Sequence, residues 1–132
     1  MRASIVAGAM LIAAGAIAQP APPRPLMLFF DWGKPDIRSD DQAVLDQAAA
    51  AYREQPGAHF EISGHSDRSG SAAVNRAAAQ RRAATVRDEL VKRGIPRNAI
   101  RIASFGEDQP LVPTEDGVRE VQNRRVEIRI EG

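Results

Sequence analysis

Apolar and polar positions along the chain fall into six stretches that follow two different periods. Pro25-Leu-Met-Leu-Phe-Phe-Asp31 is a short apolar run bounded by a proline and a polar turn, the pattern of a buried strand. Ser39-Asp-Asp-Gln42 has the spacing of a capping box, and Leu45, Ala48 and Tyr52 then recur at three and four residues. This predicts a helix with one narrow apolar face, ended by Pro56-Gly57. His59-Phe-Glu-Ile-Ser63 alternates at period two and reads as a second strand running into Gly64-His65-Ser66-Asp67. From about Ser71 to Arg93 the chain is rich in Ala, Arg and Glu, with Val74, Ala78, Val86 and Leu90 on one side and Gly94 and Pro96 as the stop. Ile100–Phe105 and Arg125–Ile130 alternate strictly and predict two half-buried strands. The order β-α-β-α-β-β implies an α+β two-layer sandwich, with a mixed sheet covered on one face by two helices.

The first residues follow neither period. After Arg2, Ala3 to Ala18 is an unbroken small-and-apolar run of 16 residues, followed by Gln19-Pro-Ala-Pro-Pro-Arg-Pro25. The run is short of the roughly 20 residues that span a bilayer, and Ala16-Ile17-Ala18 offers a small-residue cleavage site. Residues 1–18 are therefore expected to be a signal peptide, residues 19–25 a proline-rich spacer and residues 26–132 the folded domain. A retained membrane anchor is the alternative, excluded if the exported protein begins at Gln19. Cleavage removes Arg2, so 18 basic and 17 acidic residues become 17 of each. A balanced chain lacks the cationic surplus that a nucleic-acid backbone demands. With no cysteine there is no disulfide, no thiolate metal site and no lipid-modified Cys at the mature N-terminus.

The candidate chemistry gathers near the long helix. Arg82 falls four residues after Ala78 and four before Val86, on the stripe that meets the sheet. A guanidinium in that row needs an anion, from the protein or from a ligand. Asn75 lies two turns earlier on the same face, and Asp67 sits where the second strand leaves the sheet towards this helix. Two readings stand on pattern alone. Asp67 and Arg82 form a structural ion pair with Asn75 filling a hydrogen bond, or the three line a pocket; an Asp before a helix is also a common turn or cap residue. His65-Ser66-Asp67 is no catalytic triad, because adjacent residues on an extended segment point to alternating faces. Two histidines without a further ligand cluster give no metal site, and no cofactor motif is present. Asn123-Arg124-Arg125 opens the last strand with charges that, taken alone, guard a sheet edge.

Taken together, these pieces resemble a known family. Phe30-Asp31, Gly64-His65-Ser66-Asp67 with Gly70, Asn75, Arg81-Arg82-Ala83 with Val86, Phe105-Gly106-Glu107 with Pro110, and Asn123-Arg124-Arg125-Val126 with Ile128 stand in the order and spacing of the OmpA-like (Pal and MotB type) peptidoglycan-binding domain. The resemblance covers Phe29 to Ile130. It implies non-catalytic binding of the diaminopimelate side chain of peptidoglycan stem peptides in the periplasm. By that likeness Asp67 receives the ligand ammonium and Arg82 its carboxylate. Phe30 and Asp31 wall the pocket, Asn75 adds a polar group, and Asn123 and Arg125 flank the site. Charge-assisted hydrogen bonds of roughly 1.5–3 kcal/mol each, less the entropy of association, put the dissociation constant on the order of 10 μM to 1 mM. Ser66 stands where the family usually has Thr, and Ala78-Ala79 where it usually has Leu-Ser, which removes bulk from the pocket wall. Tethering two envelope layers takes two attachments, and this sequence displays one, so an envelope protein partner is an open expectation. A hydrolase acting on the same polymer and an interaction module on the same fold, with its ligand site lost, are the rival readings.

Overall fold

The computed structural model describes residues 24–132; the expected signal peptide and all but the end of the spacer lie outside the described residues. Strand β1 (Leu26–Phe29) is followed by a 3-10 turn at Ser39–Asp41 and helix α1 (Gln42–Glu54). Strand β2 (His59–His65), helix α2 (Ala72–Lys92), strand β3 (Ile100–Gly106) and strand β4 (Arg125–Glu131) complete the order expected from the hydrophobic pattern. The strands form one sheet in the order β1-β4-β2-β3, in which β4 is antiparallel to both neighbours and β2 and β3 are parallel. Parallel neighbours cannot be joined by a tight turn, and α2 supplies the crossover. Leu28, Phe60, Ile62, Val126 and Ile128 of the sheet meet Leu45, Val86 and Leu90 of the two helices in a single core. Each such side chain contributes about 1.5–3 kcal/mol of burial free energy.

Two local features fix where α2 lies. Gly64 lets the helix backbone come down onto β2, since a Cβ there would overlap the Ala79 carbonyl. Gly94, at φ 102°, closes the helix with a Schellman pair, Gly94 N–H to the Val91 carbonyl at 3.0 Å and Ile95 N–H to the Leu90 carbonyl at 3.1 Å. The N-cap is Ser71, whose hydroxyl accepts from Val74 N–H at 3.2 Å.

Three expectations change. Ser39 caps nothing: the chain makes a 3-10 turn there, α1 has no side-chain cap, and Asp41 instead accepts from Phe29 N–H at 2.9 Å. This bond ties the helix start to β1, a tertiary use that local spacing does not reveal. Val74 is exposed, because the inward face of α2 runs through Asn75, Ala79, Arg82, Ala83, Val86 and Leu90. In β4 the first four residues are buried on both faces. That strand is central in the sheet, and the loop between β3 and β4 crosses its outer side, where Arg125 Nη2 donates to the Gln109 carbonyl at 3.0 Å.

Candidate functional site

The alternation of β4 sorts its side chains. Val126 and Ile128 point to the helices, so Arg124, of the same parity, falls on the helix side, and Arg125 and Glu127 fall on the other. On the helix side, where β2 ends, a cavity of about 240 Å³ opens between α2 and the turn after β1. Asp67, Asn75 and Arg82 all line it.

Asp67 is buried, and donors surround its carboxylate. Oδ1 accepts from Ser69 N–H at 3.2 Å and the Ser69 hydroxyl at 2.6 Å. Oδ2 accepts from Glu120 N–H at 3.1 Å and Arg124 Nη1 at 2.8 Å. Burial works against ionisation, but the bonds from Ser69, Arg124 and Glu120 outweigh it and hold the carboxyl below its usual range, so Asp67 is an anion at neutral pH. The structural ion pair between Asp67 and Arg82 is not formed; Asp67 is paired with Arg124.

Arg82 is 3% exposed, and among the described residues no carboxylate pairs with it. Its Nε donates to the Lys34 carbonyl at 3.2 Å and its Nη2 to the Asp31 carbonyl at 3.4 Å, while the guanidinium carbon lies 5.5 Å from the Phe30 ring centre. Carbonyl dipoles and an aromatic face orient the cation without neutralising it. Desolvation, then the neighbouring charge of Arg124, with Asp67 opposing and Arg81 adding, brings its pKa down to about 10, which leaves it charged at neutral pH. Asn75 spends its amide protons on the Gly70 carbonyl and on Glu107 Oε1, both at 3.0 Å, and its own carbonyl stays free to accept.

The remaining expected site residues stand elsewhere. Phe30 is fully buried and acts through Arg82; Asp31 is exposed, lends its backbone carbonyl and turns its carboxylate to Arg38 at 3.9 Å. Neither lines the cavity. Asn123 is buried behind the loop that precedes β4. It accepts Leu111 and Val112 N–H and donates to the Val112 carbonyl, all at 2.8 Å, a loop staple rather than a pocket group. Arg125 is on the opposite face of the sheet, bonded to Glu127 at 2.8 Å. His65 turns to that same outer face, stacked on Phe105 with 5.5 Å between ring centres, which separates it from Asp67.

Several residues of the site were missed. Among the described residues Arg124 supplies the only ion pair to Asp67, and strand parity with Val126 was the signal that could have selected it over Arg125. Ser69 and the Glu120 backbone have no sequence signature. Glu107 was noted only within a motif; it ties Asn75 to Arg68 Nε at 3.1 Å. Trp32 stands half-exposed at the rim, its indole N–H donating to the Ser69 hydroxyl at 3.0 Å and its ring covered by Arg119 at 3.5 Å. Among the described residues there is no group of three carboxylates and histidines placed to hold a metal ion.

Comparison with known proteins points the same way as the motifs. The OmpA family model matches residues 29–124. The chain is 41% identical over 98 residues to a peptidoglycan-associated lipoprotein of Rhizobium meliloti, covering 74% of this chain and 56% of the relative. It is 37% identical over 115 residues to an outer membrane protein of Gluconacetobacter diazotrophicus, covering 83% of this chain and 30% of that one. The chain thus spans only part of the length of these relatives. The crystal structure of the peptidoglycan-associated lipoprotein from Burkholderia pseudomallei superposes with a TM-score of 0.74 at 28% identity, over 83% of this chain and 91% of the other. The C-terminal domain of MotB from Helicobacter pylori shares the fold, with a TM-score of 0.70 at 22% identity over 84% and 86% of the two chains.

Proposed function

The chain belongs to the OmpA family, and from that premise we propose that it binds peptidoglycan without cleaving it, through the diaminopimelate side chain of the stem peptide. One observation carries this reading. A buried guanidinium, Arg82, lacks a carboxylate partner among the described residues at a cavity that also holds an ionised, buried Asp67. A group bearing an ammonium and a carboxylate on one carbon supplies the anion that Arg82 lacks and brings its ammonium to Asp67, whose partner within the protein is Arg124. Arg82 takes the carboxylate, with a fork able to make two parallel bonds. The ammonium goes to Asp67 and the free carbonyl of Asn75.

Asp67 enters this exchange with its lone pairs already filled by four donors. An incoming ammonium must displace one of them. The Ser69 hydroxyl is the donor that can rotate away without moving the backbone, so it is the one assigned to yield. The names of the relatives, peptidoglycan-associated lipoproteins among them, support a role at the cell wall. Periplasmic location follows from the expected signal peptide at 1–18, with the domain beginning at residue 26 after a proline-rich spacer. Envelope anchoring would come from a partner or segment that supplies the second attachment.

Cosedimentation with purified diaminopimelate-type sacculi tests this reading. The protein is expected to pellet with the sacculi, to be displaced by soluble stem peptide, and to release no soluble muropeptides over long incubation. A protein that stays in the supernatant contradicts the proposal, and release of muropeptides assigns it catalysis instead.

A further inference from the structure

Charge is spread unevenly over this nearly neutral chain. Many surface cations are in ion pairs, as Arg68, Arg76 and Arg93 are, and the exposed Arg24, Arg53, Arg97 and Arg119, which are in none among the described residues, do not line the cavity. Lys34 and Arg81 are exposed and have no such partner among the described residues, and both line the same cavity as Arg82 and Arg124. Asp67 is the one carboxylate residue lining it among the described residues, and Arg124 already neutralises it. The surplus is felt inside: positive neighbours, Arg124 and Arg81, act against the charge on Arg82. A zwitterionic carbon brings one charge of each sign and leaves this surplus as it was.

Resting on the peptidoglycan reading above, we propose that the cavity is built for an acidic peptide rather than an isolated zwitterionic amino acid. A second free carboxylate, on the residue next to the diamino acid, is held by Lys34 and Arg81 at the mouth. Such a contact sits near the surface, where ion pairs are weak and salt-sensitive, so it acts as a selector on top of the grip at Asp67 and Arg82. It also speeds encounter, since a cavity lined by one sign of charge raises the local concentration of an oppositely charged ligand.

The test is calorimetric titration of the purified protein at low and high salt with two stem tripeptides, one with the glutamyl α-carboxylate free and one with it amidated. The free acid is expected to bind about tenfold more tightly at low salt, about 1.4 kcal/mol, with the gap closing as salt is raised. In the double variant Lys34→Met and Arg81→Met, the two affinities should converge, with a thermal melt confirming that the fold persists. Equal affinities in the wild type, or a gap that survives in the double variant, would overturn the proposal. No binding of either tripeptide would instead remove the peptidoglycan reading on which it rests. Cosedimentation with phosphatidylglycerol vesicles that neither peptide displaces would assign the cationic mouth to a membrane surface, and would overturn it as well.

Discussion

Arg82 and Arg125 are buried to almost the same degree, 3% and 4% exposed, and lie on opposite sides of the same sheet. Their surroundings differ in what answers the charge. Arg125 has a carboxylate, Glu127 at 2.8 Å, while Arg82 has only backbone carbonyls and the face of Phe30. Burying a charge beside its opposite makes a structural pair; burying one beside dipoles leaves it seeking an anion. The comparison teaches that depth alone does not mark a binding residue. On the proposed reading, the marker is a buried charge that has no carboxylate partner among the described residues and still reaches a cavity.

Several variants would break this comparison or make it sharper. The largest effect is expected from Arg82→Met, which should weaken stem-peptide binding by about a thousandfold, about 4 kcal/mol, as truncating one side of a buried charge contact does. Folding stability by urea denaturation should change by less than about 1 kcal/mol, because no protein carboxylate is stranded. Arg125→Met should do the reverse. It leaves Glu127, itself buried, with only the longer contact to the exposed Arg129 at 3.6 Å and should cost about 3 kcal/mol of stability, with stem-peptide affinity within about twofold of the wild type.

A comparable effect belongs to His65, next to Arg125 on the outer face. Burial, with Arg125 adding and Glu127 opposing, lowers its pKa from 6.5 to about 4. Between those values the unfolded chain takes up a proton that the folded one refuses. Stability therefore falls as pH drops from about 6.5 to 4, by about 3 kcal/mol, and this contribution levels off below that window. Urea midpoints measured across the range should show the slope, and His65→Gln should flatten it. The smallest effect is at Ser69. Ser69→Ala removes two hydrogen bonds, one to Asp67 and an exposed one from Trp32, together worth about 1–2 kcal/mol of stability, yet frees a lone pair on Asp67, so peptide affinity by titration should stay level or rise about twofold to threefold.

The two helices and four strands were legible because the hydrophobic stretches show one dominant period each, 3.6 in α2 and two in β3, or, in β1, a short apolar run with clear bounds. What failed were places where a residue serves a distant partner. Asp41 gives its carboxylate to Phe29 N–H of β1 rather than to a helix cap, and Asn123 spends its amide on Leu111 and Val112. At the site, Asp67 and Arg82 could be found because one ends a strand and the other interrupts an apolar row. Choosing Arg125 over Arg124 overlooked strand parity, which places the two on opposite sides of the sheet. Ser69 and the Glu120 N–H could not have been found, since their role depends on how the loops before α2 and β4 meet at Asp67.

The central claim is that Arg82 and Asp67 together recognise one zwitterionic carbon. The most direct measurement is a calorimetric titration of the protein with diaminopimelate-containing stem peptide beside a lysine-type peptide that lacks the side-chain carboxylate, repeated with Asp67→Ala and Arg82→Met. Saturable binding of the first peptide alone, abolished in both variants while their circular dichroism is retained, is the predicted result. Equal binding of the two peptides, or no binding by the folded wild type, would contradict it.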